Sequence, residues 1–174
     1  RVEPALLSLA LAHPERPLHR KLLIELYGLW LTPLAQRVAD ERASAEDREL
    51  LARVGRRALK PLLEALLDAD PLQRGVALDL LGAMANENAA GSLLSLAEQS
   101  ADTSERARAL IAVGMLADAR LGTRLRTLTA RVEGRLRPIA VWALTRTLGE
   151  GARKDLLTFS TDGDAGVRVI ACLG

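Results

Sequence analysis

The sequence predicts an all-α chain of stacked helical hairpins, and three observations predict it. The first is composition: 49% of the 174 residues are hydrophobic but only 2% are aromatic, so the apolar content is mostly Leu, Ala and Val. Ala, Leu, Arg and Glu are good helix formers, and no strand-like run of alternating β-branched residues occurs. The second is an internal repeat. Arg followed three residues later by Ala recurs at Arg74 and Ala77, Arg106 and Ala109, Arg137 and Ala140, and Arg168 and Ala171, with successive Arg residues 32, 31 and 31 apart. Four residues before each Arg stands an acid: Asp70, Asp102, Glu133 and Asp164. The third is a second apolar marker in phase with the first, at Leu63, Leu94, Leu125 and Leu156, spaced 31 each time. Two registers sharing one period mark a repeated hairpin that cannot bury its apolar face alone and must stack on its neighbours.

Taken in order, the hairpins fall near 3–30, 32–55, 57–84, 88–116, 119–148 and 151–174, about six in one domain spanning 1–174. In the first, Arg20, Leu23 and Tyr27-Gly28 match the frame; in the second, Asp47 replaces the Arg ahead of Leu50 and Val54-Gly55. Gly28, Gly55 and Gly82 are 27 apart, so the early hairpins have tighter loops. Ser44-Ala-Glu-Asp47 reads as a capping box at a helix start. In the third hairpin Leu59, Leu62, Leu63, Leu66 and Leu67 form one apolar stripe at helical spacing. Asp68-Ala-Asp-Pro71 then ends that helix, because Pro disfavours α conformation in the residue before it and suits a first helical turn. The second helix turns Val76, Ala77, Leu80, Leu81 and Met84 inward. Asp102-Thr-Ser-Glu105 reads as another cap. The chain opens on Arg and stops at Leu173-Gly174 within a helical pattern, which reads as a fragment of a longer chain.

The stretch Leu59 to Met84, LKPLLEALLDADPLQRGVALDLLGAM, resembles a HEAT repeat. The period of about 31 is similar to the short HEAT-like variety of phycobilin lyases and bacterial scaffold proteins. That resemblance covers the whole chain, clearly from 57 to 174 and more loosely before it. It implies a right-handed α–α superhelix, an armadillo-like α-solenoid, whose second helices line the concave surface. It also implies a structural role for the repeated acid–Arg pairs, as a ladder between neighbouring repeats. In function it implies a non-catalytic protein–protein interaction scaffold. The alternatives are a phycobilin lyase-like enzyme subunit or a HEAT-like DNA-binding glycosylase.

Chemistry-bearing motifs are absent from the sequence. His13 and His19 are the only histidines and Cys172 the only cysteine, with no HExxH or CxxC spacing, so neither a metal nor another cofactor is expected. There is no GxSxG and no phosphate-cradling Gly loop, and no small-molecule substrate is indicated. The expected reading is therefore not an enzyme. A lone cysteine forms no intrachain disulfide and favours a reducing, cytoplasmic setting. No apolar run approaches the roughly 20 residues that span a bilayer.

The formal net charge of +2 does not call for a polyanionic partner. One segment departs from balance: between 120 and 154 stand Arg120, Arg124, Arg126, Arg131, Arg135, Arg137, Arg146, Arg153 and Lys154 against Glu133 and Glu150. A nucleic-acid reading takes this as a phosphate-tracking ridge. The scarcity of aromatics for base stacking counts against it, and a solvated edge or a contact for an acidic protein is preferred.

The frame also locates a binding face. Offsets three, four and seven from each Arg position are apolar throughout and form the core, as in Ala109, Leu110, Val113 and Ala140, Val141, Leu144. Offsets one, five and nine align along another face of the second helix. Toward the N-terminus they read Lys21, Glu25, Arg48, Arg56 and Asp79; later they read Ala107, Ile111, Met115, Pro138, Trp142 and Val169. The expected partner-binding residues are Ile111, Met115, Pro138, Trp142, Arg146 and Val169. Trp and Met are enriched at protein interfaces. Trp142 is expected to be partly accessible, to close one side of an apolar groove, and to cost about 1 kcal/mol or less on truncation to Ala, below the ~3–5 of a buried aromatic.

Overall fold

Pro71 stands at the first position of a helix, where its missing N–H has no helical partner to lose and its fixed φ suits the turn. This helix, α1, runs Pro71–Ala83. The computed structural model describes residues 44–45, 59–60, 62–67, 71–84 and 86–173, and their regular structure is all helical, with no strand among them. The expected hairpins near 3–30 and 32–55 lie outside the described residues apart from 44–45, and so do Arg20, Tyr27, Asp47 and both histidines. Ser44 immediately precedes helical Ala45, at the expected capping box. The chain divides into two compact units, 1–89 and 90–174.

In the first unit, Leu62, Ala65 and Leu66 are buried, and so are Ala77, Leu78, Leu80, Leu81 and Met84 on α1. Leu67 departs from the expected stripe and is 88% exposed. Its N–H donates to the Glu64 carbonyl at 3.0 Å, a three-residue turn that tightens the helix end and swings the next side chain off the apolar face.

Among its described residues the second unit holds six α-helices: α2 (Ala90–Gln99), α3 (Thr103–Leu116), α4 (Gly122–Arg131), α5 (Leu136–Leu148), α6 (Arg153–Phe159) and α7 (Ala165–Leu173). They pack as consecutive pairs, α2 on α3, α4 on α5 and α6 on α7, and α5 lies between α3 and α7. Leu93, Leu94 and Ala97 from α2, Ala109, Leu110 and Val113 from α3, Leu125 from α4, and Ala140, Val141, Ala143 and Leu144 from α5 form the core. Small residues at the repeated Ala positions let helix axes approach closely, while Leu and Val fill the space between them.

The turns explain the repeated polar residues. Asp102 caps α3, its Oδ1 accepting from the N–H groups of Ser104 (2.7 Å) and Glu105 (3.4 Å). Glu105 does not complete the box; it accepts from the Ser100 hydroxyl at 2.5 Å, and that hydroxyl accepts from the Asp102 N–H at 3.1 Å. Asp164 caps α7 through Gly166 and Val167 N–H groups. The frame arginines reach backwards across their own turns. Arg106 Nε donates to Ala97 O at 2.9 Å, Arg137 Nη1 to Thr129 O at 3.2 Å, and Arg168 Nη1 to Asp162 O at 2.8 Å. Helix C-termini leave carbonyls without partners, and a guanidinium satisfies them while meeting the negative end of the dipole. Around Arg106 and Arg168 the acid therefore caps the helix that follows while the Arg meets backbone carbonyls before it; α5, after Glu133, has no side-chain cap.

Candidate partner-binding face

The second helices α3 and α7 both pack on α5, and equal offsets in the repeat frame group their residues. One row reads Ala107, Pro138 and Val169; the next, one turn along, reads Ile111, Trp142 and Leu173; beyond it come Met115 and Arg146. Ile111 is 42% exposed, Val169 57% and Leu173 83%, and Arg146 is exposed. Met115, Pro138 and Trp142 are half-buried. Five of the six expected residues thus bring an apolar side chain to the rows, and Arg146 supplies a cation one turn past Trp142. Leu173 belongs with them and was missed in the sequence, although its offset of five from Arg168 is that of Ile111 and Trp142. Asp79, from the N-terminal part of the expected face, is exposed on α1; Lys21, Glu25, Arg48 and Arg56 lie outside the described residues.

Trp142 does not stand clear of the helices. Its ring lies on Gly114 of α3, where a Cβ would come within 2.9 Å of the ring Cε3 and within 3.0 Å of the Ala143 Cα. Gly inside a helix costs roughly 0.5–1 kcal/mol relative to Ala, so the close approach of α3 and α5 is the physical reason for it. Pro138 makes a similar fit on the other side, 3.1 Å from where a Gly166 Cβ would lie on α7. The expectation of partial accessibility for Trp142 agrees with the structure. Its ring contact with Gly114 means that truncation costs more than the expected 1 kcal/mol.

Charge is distributed otherwise than the linear sequence suggests. Arg120 pairs with Asp118 at 2.7 Å, Arg124 with Glu98 at 2.6 Å, Arg126 with Asp155 at 3.0 Å and Arg137 with Asp162 at 2.6 Å. Four of the nine cations between 120 and 154 are thereby matched by acids outside that segment. The Arg137 guanidinium hydrogen-bonded to Asp162 holds that carboxyl below the usual carboxylate range, and Arg137 is raised in turn. Arg120 lowers Asp118 in the same way. Three of these pairs link successive helical pairs: Glu98 of α2 to α4, Arg126 of α4 to α6, and Arg137 of α5 to the turn before α7. Ion pairs do link neighbouring repeats, but among the described residues none of these links is the expected pair of a frame acid with a frame Arg: two join first helices and the third joins Arg137 to Asp162.

Two clefts flank these elements. One of about 320 Å³ between α4, α5 and α6 is lined by Arg126, Arg137, Asp155 and Phe159, and its charged groups are engaged in the ion pairs above. An open cleft of about 780 Å³ along α6 is lined by Glu150, Arg153, Leu156, Leu157 and Ala171. Among the described residues no group of His, Cys, Asp and Glu is arranged to hold a metal ion, and no helix is long and apolar enough to cross a membrane. Comparison with known proteins gives no match, either to a family model or to a curated protein.

Proposed function

We propose that this chain is a right-handed HEAT-like solenoid of about six hairpins that acts as a non-catalytic protein-interaction scaffold and binds its partner on the second-helix face. The row Ile111, Trp142 and Leu173 carries the reading, because it sets exposed or half-exposed apolar side chains on the second helices of three successive pairs. An apolar strip of this kind is costly in water and characteristic of an interaction surface. The nucleic-acid alternative loses support from the ion pairs that occupy Arg120, Arg124, Arg126 and Arg137. The lone cysteine fits a reducing, cytoplasmic setting.

A pull-down from the source cells with mass spectrometry tests the reading, comparing wild type with an Ile111→Asp/Val169→Asp variant. Both positions are exposed, so the variant keeps its fold. A partner captured by wild type and lost from the variant supports the binding face. An unchanged set of captured proteins places the binding elsewhere.

A further inference from the structure

We infer that the occupant of this face is an acidic amphipathic helix laid across α3, α5 and α7, with its apolar side on Ile111, Trp142 and Leu173 and a carboxylate at Arg146. The inference rests on the binding-face reading and adds the chemistry of the partner.

The form of the occupant follows from what the face offers. It consists of side chains on three helices whose backbone N–H and C=O groups are spent within the helices. An extended segment docking by strand addition needs a free sheet edge, and there is none among the described residues. A helix satisfies its own backbone and needs only an apolar stripe to match. Neighbouring helices pack about 8–10 Å apart, so a row over three of them spans roughly 20 Å. About 14 residues of helix, at 1.5 Å per residue, cover that distance.

The sign of its charge follows from the second helices themselves. Together α3, α5 and α7 carry a single carboxylate, Glu105, which is held by the Ser100 hydroxyl at the N-terminal end of α3. Arg106, Arg137 and Arg168 are turned onto backbone carbonyls. Arg146 is exposed, continues the column of Pro138 and Trp142, and makes no ion pair among the described residues. A basic helix on this row meets an unneutralised cation and no acid; an acidic one completes Arg146. Complementary charge beside an apolar core selects between partners of similar shape.

Fluorescence anisotropy with two labelled 14-residue peptides tests this, one with a Leu stripe flanked by Glu and the other with the same stripe flanked by Lys. At about 0.15 M salt, where only short-range pairing persists, the Leu/Glu peptide is expected to bind wild type about tenfold tighter than the Leu/Lys peptide. Arg146→Glu reverses the order, and Ile111→Asp/Leu173→Asp abolishes binding of both. Equal affinity of the two peptides, unchanged by Arg146→Glu, overturns the acidic assignment and leaves the face standing. Binding of neither peptide, or binding untouched by Ile111→Asp/Leu173→Asp, overturns the face itself.

Discussion

Thr129 and Thr147 are both buried, and they stand in opposite states. The Thr129 hydroxyl donates to Leu125 O at 2.7 Å, whereas the Thr147 hydroxyl on α5 has no hydrogen-bond partner among the described residues. A buried hydroxyl left unsatisfied costs about 1–3 kcal/mol, and replacing it with a methyl removes that cost at similar volume. Thr147→Val is therefore expected to stabilise the protein by about 1 kcal/mol, while Thr129→Val destabilises it by a similar amount. Urea midpoints of the two variants check this; a loss of stability in Thr147→Val contradicts it. Ala117 offers a second site of improvement. It closes α3 at φ 52°, a left-handed conformation in which a Cβ costs roughly 1–2 kcal/mol, and it is the non-glycine residue with positive φ among those described. Ala117→Gly should raise the thermal midpoint, because Gly takes this conformation freely.

Between helices, the deciding contact is Trp142 on Gly114. Trp142→Ala removes a half-buried ring and is expected to cost about 2 kcal/mol, between a surface change and a core truncation. Gly114→Ala adds a methyl where the ring and the Ala143 Cα already press, and the overpacking costs about 1–3 kcal/mol despite the better helix propensity of Ala. The two changes are not independent. Once the ring is gone, the added methyl meets mainly Ala143 Cα, so the double variant should be more stable than the sum of the single changes by about 1 kcal/mol. A double-mutant cycle of denaturation midpoints measures that coupling, and strict additivity would separate the two residues. Gly114 was visible in the sequence as the partner of Val113 in the repeat. Its purpose was not, because the residue that needs the space lies 28 positions later on another helix.

Across the second unit, ion pairs tie one helical pair to the next. Asp162 has its carboxyl lowered by Arg137, so the unfolded chain takes up that proton at a higher pH than the folded one. The stabilisation is present above the unfolded carboxylate value near 4 and is lost as pH falls through the depressed folded value. Asp162→Asn should flatten the decline of thermal midpoint below about pH 4, with wild type and variant converging at the acid end. Some decline remains, because Asp118 is lowered by Arg120 in the same direction. The same pairing predicts weak interaction with DNA. With four of the nine cations between 120 and 154 already matched, duplex binding at physiological salt is expected to be negligible, and an affinity falling steeply with salt would reinstate the phosphate-tracking alternative.

What the sequence determined by itself is periodic and local. Helical composition, the 31-residue recurrence and the turn residues specify that the described chain is all helical and many of the Ala, Leu and Val that are buried, though not the exposed Leu67 or the half-buried Leu63, Val76 and Leu156. These are properties of one helix meeting the same environment at every repeat, so each residue carries its own signal. Two features were decided only in the tertiary structure. The apparent basic ridge is partly neutralised because Glu98, Asp155 and Asp162 arrive from neighbouring pairs 25–29 residues away. The exposed or half-buried apolar residues Ile111, Trp142 and Leu173 stand on three different helices, and Trp142 is seated on Gly114 of a neighbouring one. Both depend on which residues of different repeats stand level. Packing sets that through the interaxial distance and the small residues at the contact, and no single helix records it.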